Sequence, residues 1–167
     1  MTTPPGGNPF AAASDPVRRF RGRLGGAVTL LTTGEGSDRA GLTVSSLMVA
    51  NGEPARVLAL LDPDADLTEA LAERRTGVVQ LLEWADRDLA EAFAGTAPAP
   101  GGPFRSGTWE QTTHGPALSG RTRALVRLEE LRETGWSSLA VLVIEDLAVL
   151  PDHQPLQHRR GRYHHEA

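Results

Sequence analysis

The stretch Ala40-Gly41-Leu42-Thr43-Val44-Ser45-Ser46-Leu47-Met48-Val49-Ala50-Asn51 decides how the chain is read. Apolar residues recur through it and β-branched Thr and Val are frequent, so it reads as a strand from Ala40 to Ala50. Its middle carries three hydroxyls, on Thr43, Ser45 and Ser46. A hydroxyl buried on a strand without a partner costs roughly 1–3 kcal/mol. Two readings stand side by side. The hydroxyls satisfy nearby backbone or face water, as Ser and Thr readily do, or they line a pocket for a flat polar ligand.

Working outward, Ala27 to Thr33 is the strand before it, and Gly34-Glu35-Gly36-Ser37-Asp38 is the turn of a hairpin. Gly34-Glu35-Gly36 lacks the third glycine of a dinucleotide loop and opens no helix, so it carries no such function. Further upstream, Asp15-Pro16 caps a short helix over Val17 to Leu24, ended by Gly25-Gly26. Its four arginines read as a solvated face. Downstream, Arg56 to Leu61 is a strand. Asp66 and Glu69 have capping-box spacing at the start of a helix with Leu67, Ala70 and Leu71 on its apolar face.

Gly77 to Leu82 is another strand, and Asp86 to Ala94 a short helix stopped by Gly95. Residues 97–102 form a Pro/Gly loop, and Trp109 anchors a short strand within 104–112. Residues 121–131 alternate as a strand, with Ala124, Val126 and Leu128 on one face, and residues 132–135 are its turn. Leu139 to Leu150 reads as a central strand buried on both faces. Residues 155–163 make a last edge strand. Six or seven strands, three short helices and no β-α alternation predict a mainly β fold, an antiparallel barrel with helices outside it.

The 167 residues suit one domain and bury roughly 70% of the unfolded surface. All 17 basic residues are Arg and the net charge is −4, which gives no general attraction to nucleic acid. Cysteine is absent, so disulfides, thiolate metal sites and cysteine nucleophiles are excluded, in keeping with a cytoplasmic location. No signal pattern opens the chain. The longest apolar run is far below the ~20 residues that span a bilayer. The expected layout is a disordered tail over residues 1–14, a domain over 15–163 and a tail over 164–167. The five histidines, at 114, 153, 158, 164 and 165, show no ligand spacing with carboxylates, so no metal site is expected. Ser45 and Ser46 sit in no nucleophile elbow.

Taken in order, Gly26-Ala27-Val28-Thr29, Gly41-Leu42-Thr43-Val44-Ser45-Ser46, Pro54-Ala55-Arg56-Val57, Gly115-Pro116-Ala117-Leu118 and Gly161-Arg162-Tyr163 are similar to motifs of one family. The chain resembles the flavin reductase-like family of split-barrel FMN-binding proteins over about residues 17–163. The resemblance implies a split β-barrel and a homodimer. It implies FMN, or FAD or another flavin, as cofactor, with NAD(P)H as co-substrate and a monooxygenase as a further partner. It places the flavin against Thr43, Val44, Ser45 and Ser46, with Leu61 as apolar surface and the phosphate near Asp62 and Thr68. Gln80 stands where the family often has Asn. Gly135-Trp136-Ser137 stands where it often has Gly-Asp-His, which makes Trp136 and Ser137 candidate substrate contacts. Tyr163 matches a C-terminal aromatic that closes the site.

In such a protein the flavin carries the redox chemistry, so no acid, base or nucleophile is required of the chain. Asp62, Asp64 and Asp66 oppose a phosphate at the third strand's turn, since like charges about 4 Å apart repel by ~1 kcal/mol in water and ~4 kcal/mol at an effective dielectric of 20. The expected function is a flavin reductase that passes hydride from nicotinamide to flavin. The alternative is a non-catalytic dimeric barrel that binds flavin weakly or not at all.

Overall fold

The structure is a computed structural model that describes residues 15–151 and 153–166. The tail expected over residues 1–14 lies outside the described residues. The chain opens with α1 (Pro16–Leu24), whose N-terminus is capped by the Asp15 carboxylate accepting from the Val17 N–H at 3.0 Å. Then come β1 (Gly26–Ala27), β2 (Thr29–Thr33), β3 (Ala40–Val44), β4 (Leu47–Ala50) and β5 (Arg56–Leu61). Next are α2 (Asp66–Arg74), β6 (Thr76–Leu81) and α3 (Arg87–Ala94), followed by β7 (Trp109–Gln111) and β8 (Pro116–Leu118). The chain finishes with β9 (Arg123–Thr134), β10 (Ser137–Ala148), β11 (Gln157–Arg159) and β12 (Arg162–His164).

Seven strands form one antiparallel sheet in the order β3-β2-β6-β9-β10-β5-β4. β3 and β4 lie at its opposite edges, yet only Ser45 and Ser46 separate them in the chain. Two residues cannot cross a flat seven-stranded sheet, whose strands stand about 4.8 Å apart. The sheet therefore curls until its edges meet, which is the split barrel expected. Register shifts between Val141 and Leu142 and between Ile144 and Asp146 break the β9–β10 pairing where the long hairpin bends.

One apolar cluster fills the barrel, including Leu31, Val44, Leu61, Leu71, Val126 and Leu142. A second lies outside β2, where Leu30 meets Leu89, Ala90 and Phe93 of α3, together with Leu156. β2 is buried along its whole length because it separates the two. Trp109 opens the short strand β7 that was expected around it and packs, partly buried, against the second cluster, its ring 5.8 Å from Phe93 and 4.9 Å from Phe104.

Several local expectations change. Ala40 to Ala50 is two strands, not one. α2 begins after Ala65, and Asp66 is its first residue rather than its cap. There the Thr68 hydroxyl donates to the Asp62 carbonyl at 2.6 Å. The hairpin turn is Gly135-Trp136, with Gly135 at φ 59° and Thr134 opposite Ser137, because β9 runs on past residue 131. β10 is central, but beyond Ile144 its residues Glu145, Asp146 and Leu147 are exposed. Residues 155–163 supply not one edge strand but most of a β11–β12 hairpin on β1. The tail expected from residue 164 begins inside that hairpin: His164 ends β12, and the His165 ring lies 4.3 Å from that of Trp84. No helix among the described residues is long and apolar enough to cross a membrane.

Candidate functional site

The barrel closes at Ser45-Ser46, and the surroundings of that break define the site. Before it, Val44 is tied to β2 twice, by its place opposite Thr29 and by the Thr29 hydroxyl donating to its carbonyl at 2.6 Å. After it, the Leu60 N–H donates to the Ser46 carbonyl at 3.0 Å. Ser45 and Ser46 belong to neither ladder. Both are partly exposed, and among the described residues neither their N–H groups nor their hydroxyls have a hydrogen-bond partner. Two consecutive pairs of such donors suit a ligand with carbonyl and hydroxyl oxygens.

Gly26 sets the floor. A Cβ on Gly26 would stand 2.7 Å from the Ser45 carbonyl oxygen, so only glycine lets β1 approach the break. The sequence reading treated Gly25-Gly26 as a helix stop and missed this. Ser138, at the start of β10, pairs with Leu61, so the tip formed by Trp136 and Ser137 sits at the same end of the sheet as the β5–α2 turn and the serine break. Trp136 is 74% exposed. Topology thus gathers Ser45, Ser46, Asp62, Trp136 and Ser137, which are spread over more than half the chain.

Other predicted residues are placed differently. The Thr43 hydroxyl donates to the Ala90 carbonyl at 2.7 Å and so fastens α3 to β3. The side chains of Val44 and Leu61 are buried in the barrel core. Gln80 is fully buried. Its amide nitrogen is within 3.2 Å of the Leu30 carbonyl, the Thr32 hydroxyl and the Val78 carbonyl, and its oxygen accepts the Leu118 N–H at 2.8 Å. That amide joins β2, β6 and β8 and has no donor left for a ligand. Thr68 is buried with its hydroxyl engaged, whereas Asp62 is exposed, one carboxylate oxygen accepting the Asp64 N–H at 2.9 Å.

Tyr163 packs edge-on to His158, with ring centroids 5.6 Å apart. Burial, and then the hydrogen bond to Glu91 of α3, raise its phenol well above the ordinary tyrosine range. Glu91 is shifted the other way, held below the usual carboxylate range by hydrogen bonds from Thr96 and then Tyr163. Tyr163 thus links the β11–β12 hairpin to α3. Among the described residues no group of three or more His, Asp or Glu is arranged to hold a metal ion.

A flavin reductase like domain model matches residues 21–167. The chain is 27% identical over 145 residues to the FMN reductase (NADH) RutF of Variovorax paradoxus (strain S110), covering 87% of this chain and 80% of that protein. It is 23% identical over 150 residues to the 4-hydroxyphenylacetate 3-monooxygenase reductase component of Pseudomonas aeruginosa, with 88% of each chain covered. Among solved structures, flavin reductase PheA2 superposes with a TM-score of 0.83 at 20% identity, over 93% of this chain and 99% of that one. The NADH:FAD oxidoreductase SgcE6 of Streptomyces globisporus gives 0.80 at 23%, over 90% and 86%. The match covers nearly all of the described chain, including both strands that flank the serine break and the hairpin that seats Tyr163; the protein belongs to the flavin reductase like domain family.

Proposed function

We propose that this chain binds a flavin, FMN in the first place, and passes hydride to it from NADH or NADPH. The observation that carries the reading is the Ser45-Ser46 break: donor groups without partners among the described residues, where the chain joins the sheet's two edge strands. A bound flavin supplies the two-electron chemistry. The chain's part is to bind and orient. Ser45 and Ser46 offer N–H and hydroxyl donors to the ring's oxygens, Gly26 leaves them room, and Trp136 and Ser137 flank the open side. Relatives named as FMN reductases (NADH), and a flavin reductase component of a monooxygenase system, support the same reading.

The chain works as a homodimer in this reading. Met48, Val49 and Leu60 leave an apolar surface on β4, the sheet's exposed edge strand, and on its neighbour β5; edges of that kind are normally covered. It acts in the cytoplasm, where reduced nicotinamide is available, and hands reduced flavin to a separate monooxygenase. Its domain spans residues 15–166.

Titrating the purified protein with FMN and following flavin fluorescence tests the binding. Micromolar affinity, with FMN-dependent oxidation of NADH or NADPH, is the expected result. A specific observation favours the alternative, a non-catalytic dimeric barrel that binds flavin weakly or not at all: the β5–α2 turn presents Asp62, Asp64 and Asp66, and Thr68 is already engaged. Absence of uptake of any flavin decides for it.

A further inference from the structure

Seven of the 17 arginines fall on two short segments that the fold brings together. Arg18, Arg19, Arg21 and Arg23 lie on α1, and Arg159, Arg160 and Arg162 on the β11–β12 hairpin. The Arg160 N–H donates to the Gly22 carbonyl at 2.9 Å, and the Arg159 Nε to the Arg23 carbonyl at 3.1 Å. Those bonds cap carbonyls at the end of α1 and cover the negative end of its dipole.

Most arginines elsewhere have a carboxylate partner, Arg74 with Asp38 among them, while Arg39 and Arg87 lie over the Phe104 and Trp84 rings. Arg56, Arg121, Arg123, Arg127 and Arg132 each lie within 3.9 Å of a carboxylate. Among the described residues Arg19, Arg21, Arg23, Arg159, Arg160 and Arg162 form no such pair. These six side chains give a chain of net charge −4 a cationic face here.

That face has a cleft in it. A cavity of about 250 Å³ opens between α1 and the hairpin, lined by the Gly25–Gly26 backbone, His158, Arg159 and His164. Gly26 pairs with His158 on one side and meets the Ser45 carbonyl on the other. Gly26 therefore borders both the cleft and the serine break. The β5–α2 turn offers a phosphate three carboxylates and an occupied threonine hydroxyl, whereas this cleft offers the Arg159 guanidinium, which has no carboxylate partner among the described residues.

We infer that the cleft between α1 and the β11–β12 hairpin binds the phosphate group of a nucleotide whose ring system lies at Ser45-Ser46. The nucleotide's identity rests on the proposed flavin reductase reading, and the phosphate belongs either to the flavin or to the nicotinamide dinucleotide. Arg159 supplies the fork of N–H donors, and His158 and His164 the walls.

The test begins without flavin. Inorganic pyrophosphate is titrated into the full chain while the ring signals of His158 and His164 are followed by NMR. Saturable shifts are expected; their absence overturns the site, and this arm needs no variant to fold. The second arm compares the Arg159→Gln, His164→Gln double variant with Arg159→Lys. Removing a charge-assisted contact to phosphate lowers affinity roughly tenfold or more. A loss for FMN but not riboflavin assigns the site to the flavin phosphate. A rise in KM for NADH and NADPH alike assigns it to the dinucleotide's pyrophosphate, and a rise for NADPH alone to its 2′-phosphate. In both cases Arg159→Lys recovers part of the effect. An unchanged FMN affinity together with unchanged KM values for both NADH and NADPH overturns the inference. Pyrophosphate shifts in a protein that takes up no flavin leave the phosphate site standing and remove the flavin reading.

Discussion

At Gly26 one missing methyl group keeps β1 against the Ser45 carbonyl. Gly26→Ala forces that carbonyl or β1 to move, and overpacking of this kind costs about 1–3 kcal/mol. The expected outcome is a lowered Tm together with FMN affinity reduced by more than the loss of fold alone explains, read by thermal melts and fluorescence titration on the same sample. Gln80 is the contrasting case. Gln80→Leu leaves the Leu118 N–H buried without its acceptor, at a cost of about 1–3 kcal/mol, and denaturant unfolding is the measure. Glu91 adds a pH dependence. Its carboxyl is held below 4.5 in the fold by Thr96 and then Tyr163, so the native state favours the ionised form. That stabilisation is in place above pH 4.5 and fades as the pH falls through the lowered value. Glu91→Gln should flatten this part of the acid limb of a Tm-against-pH curve, while a curve identical to the parent's would remove Glu91 from the account.

Among the elements, α3 matters most for telling structure from site. It is tied to the sheet by Thr43 and packed over β2 through Leu89, Ala90 and Phe93. Gly41 allows that packing, since a Cβ there would meet the Phe93 ring at 2.6 Å. The hydroxyl and the glycine of Gly41-Leu42-Thr43 are therefore both engaged with the helix. Thr43→Val should cost about 1 kcal/mol in stability and leave FMN affinity unchanged once the protein is folded. A large loss of FMN affinity without loss of stability would return Thr43 to the site. The strand pattern of this stretch was legible in the sequence. The break after Val44 was not, because local propensity does not say which neighbour a strand pairs with. Thr43 and Ser45 look alike as letters, yet one faces a helix and the other leaves the ladder.

On the scale of the whole molecule, apolar Met48 and Val49 on the sheet edge predict self-association. Sedimentation of the purified chain should give a dimer, and Tm should rise with protein concentration, as mass action requires. Met48→Glu should shift the equilibrium toward monomer. A parent chain that sediments as a monomer at all concentrations would remove the dimer from the proposed function.

The order of hydrophobic periods and turn residues was enough to set the class of this protein: an antiparallel β fold with three short helices, Trp109 on a short strand and three hydroxyls at 43, 45 and 46 in an otherwise apolar stretch. Those features are local, and local sterics and side-chain chemistry write them into neighbouring residues. Which hydroxyls and amides were already engaged was decided only in three dimensions. Gln80, Thr43 and Thr68 found partners 38, 47 and 6 residues away. Closure of the sheet around a two-residue link, and the pooling of arginines from residues 18–23 with those from 159–162, are likewise consequences of long-range pairing. No window of the sequence contains them.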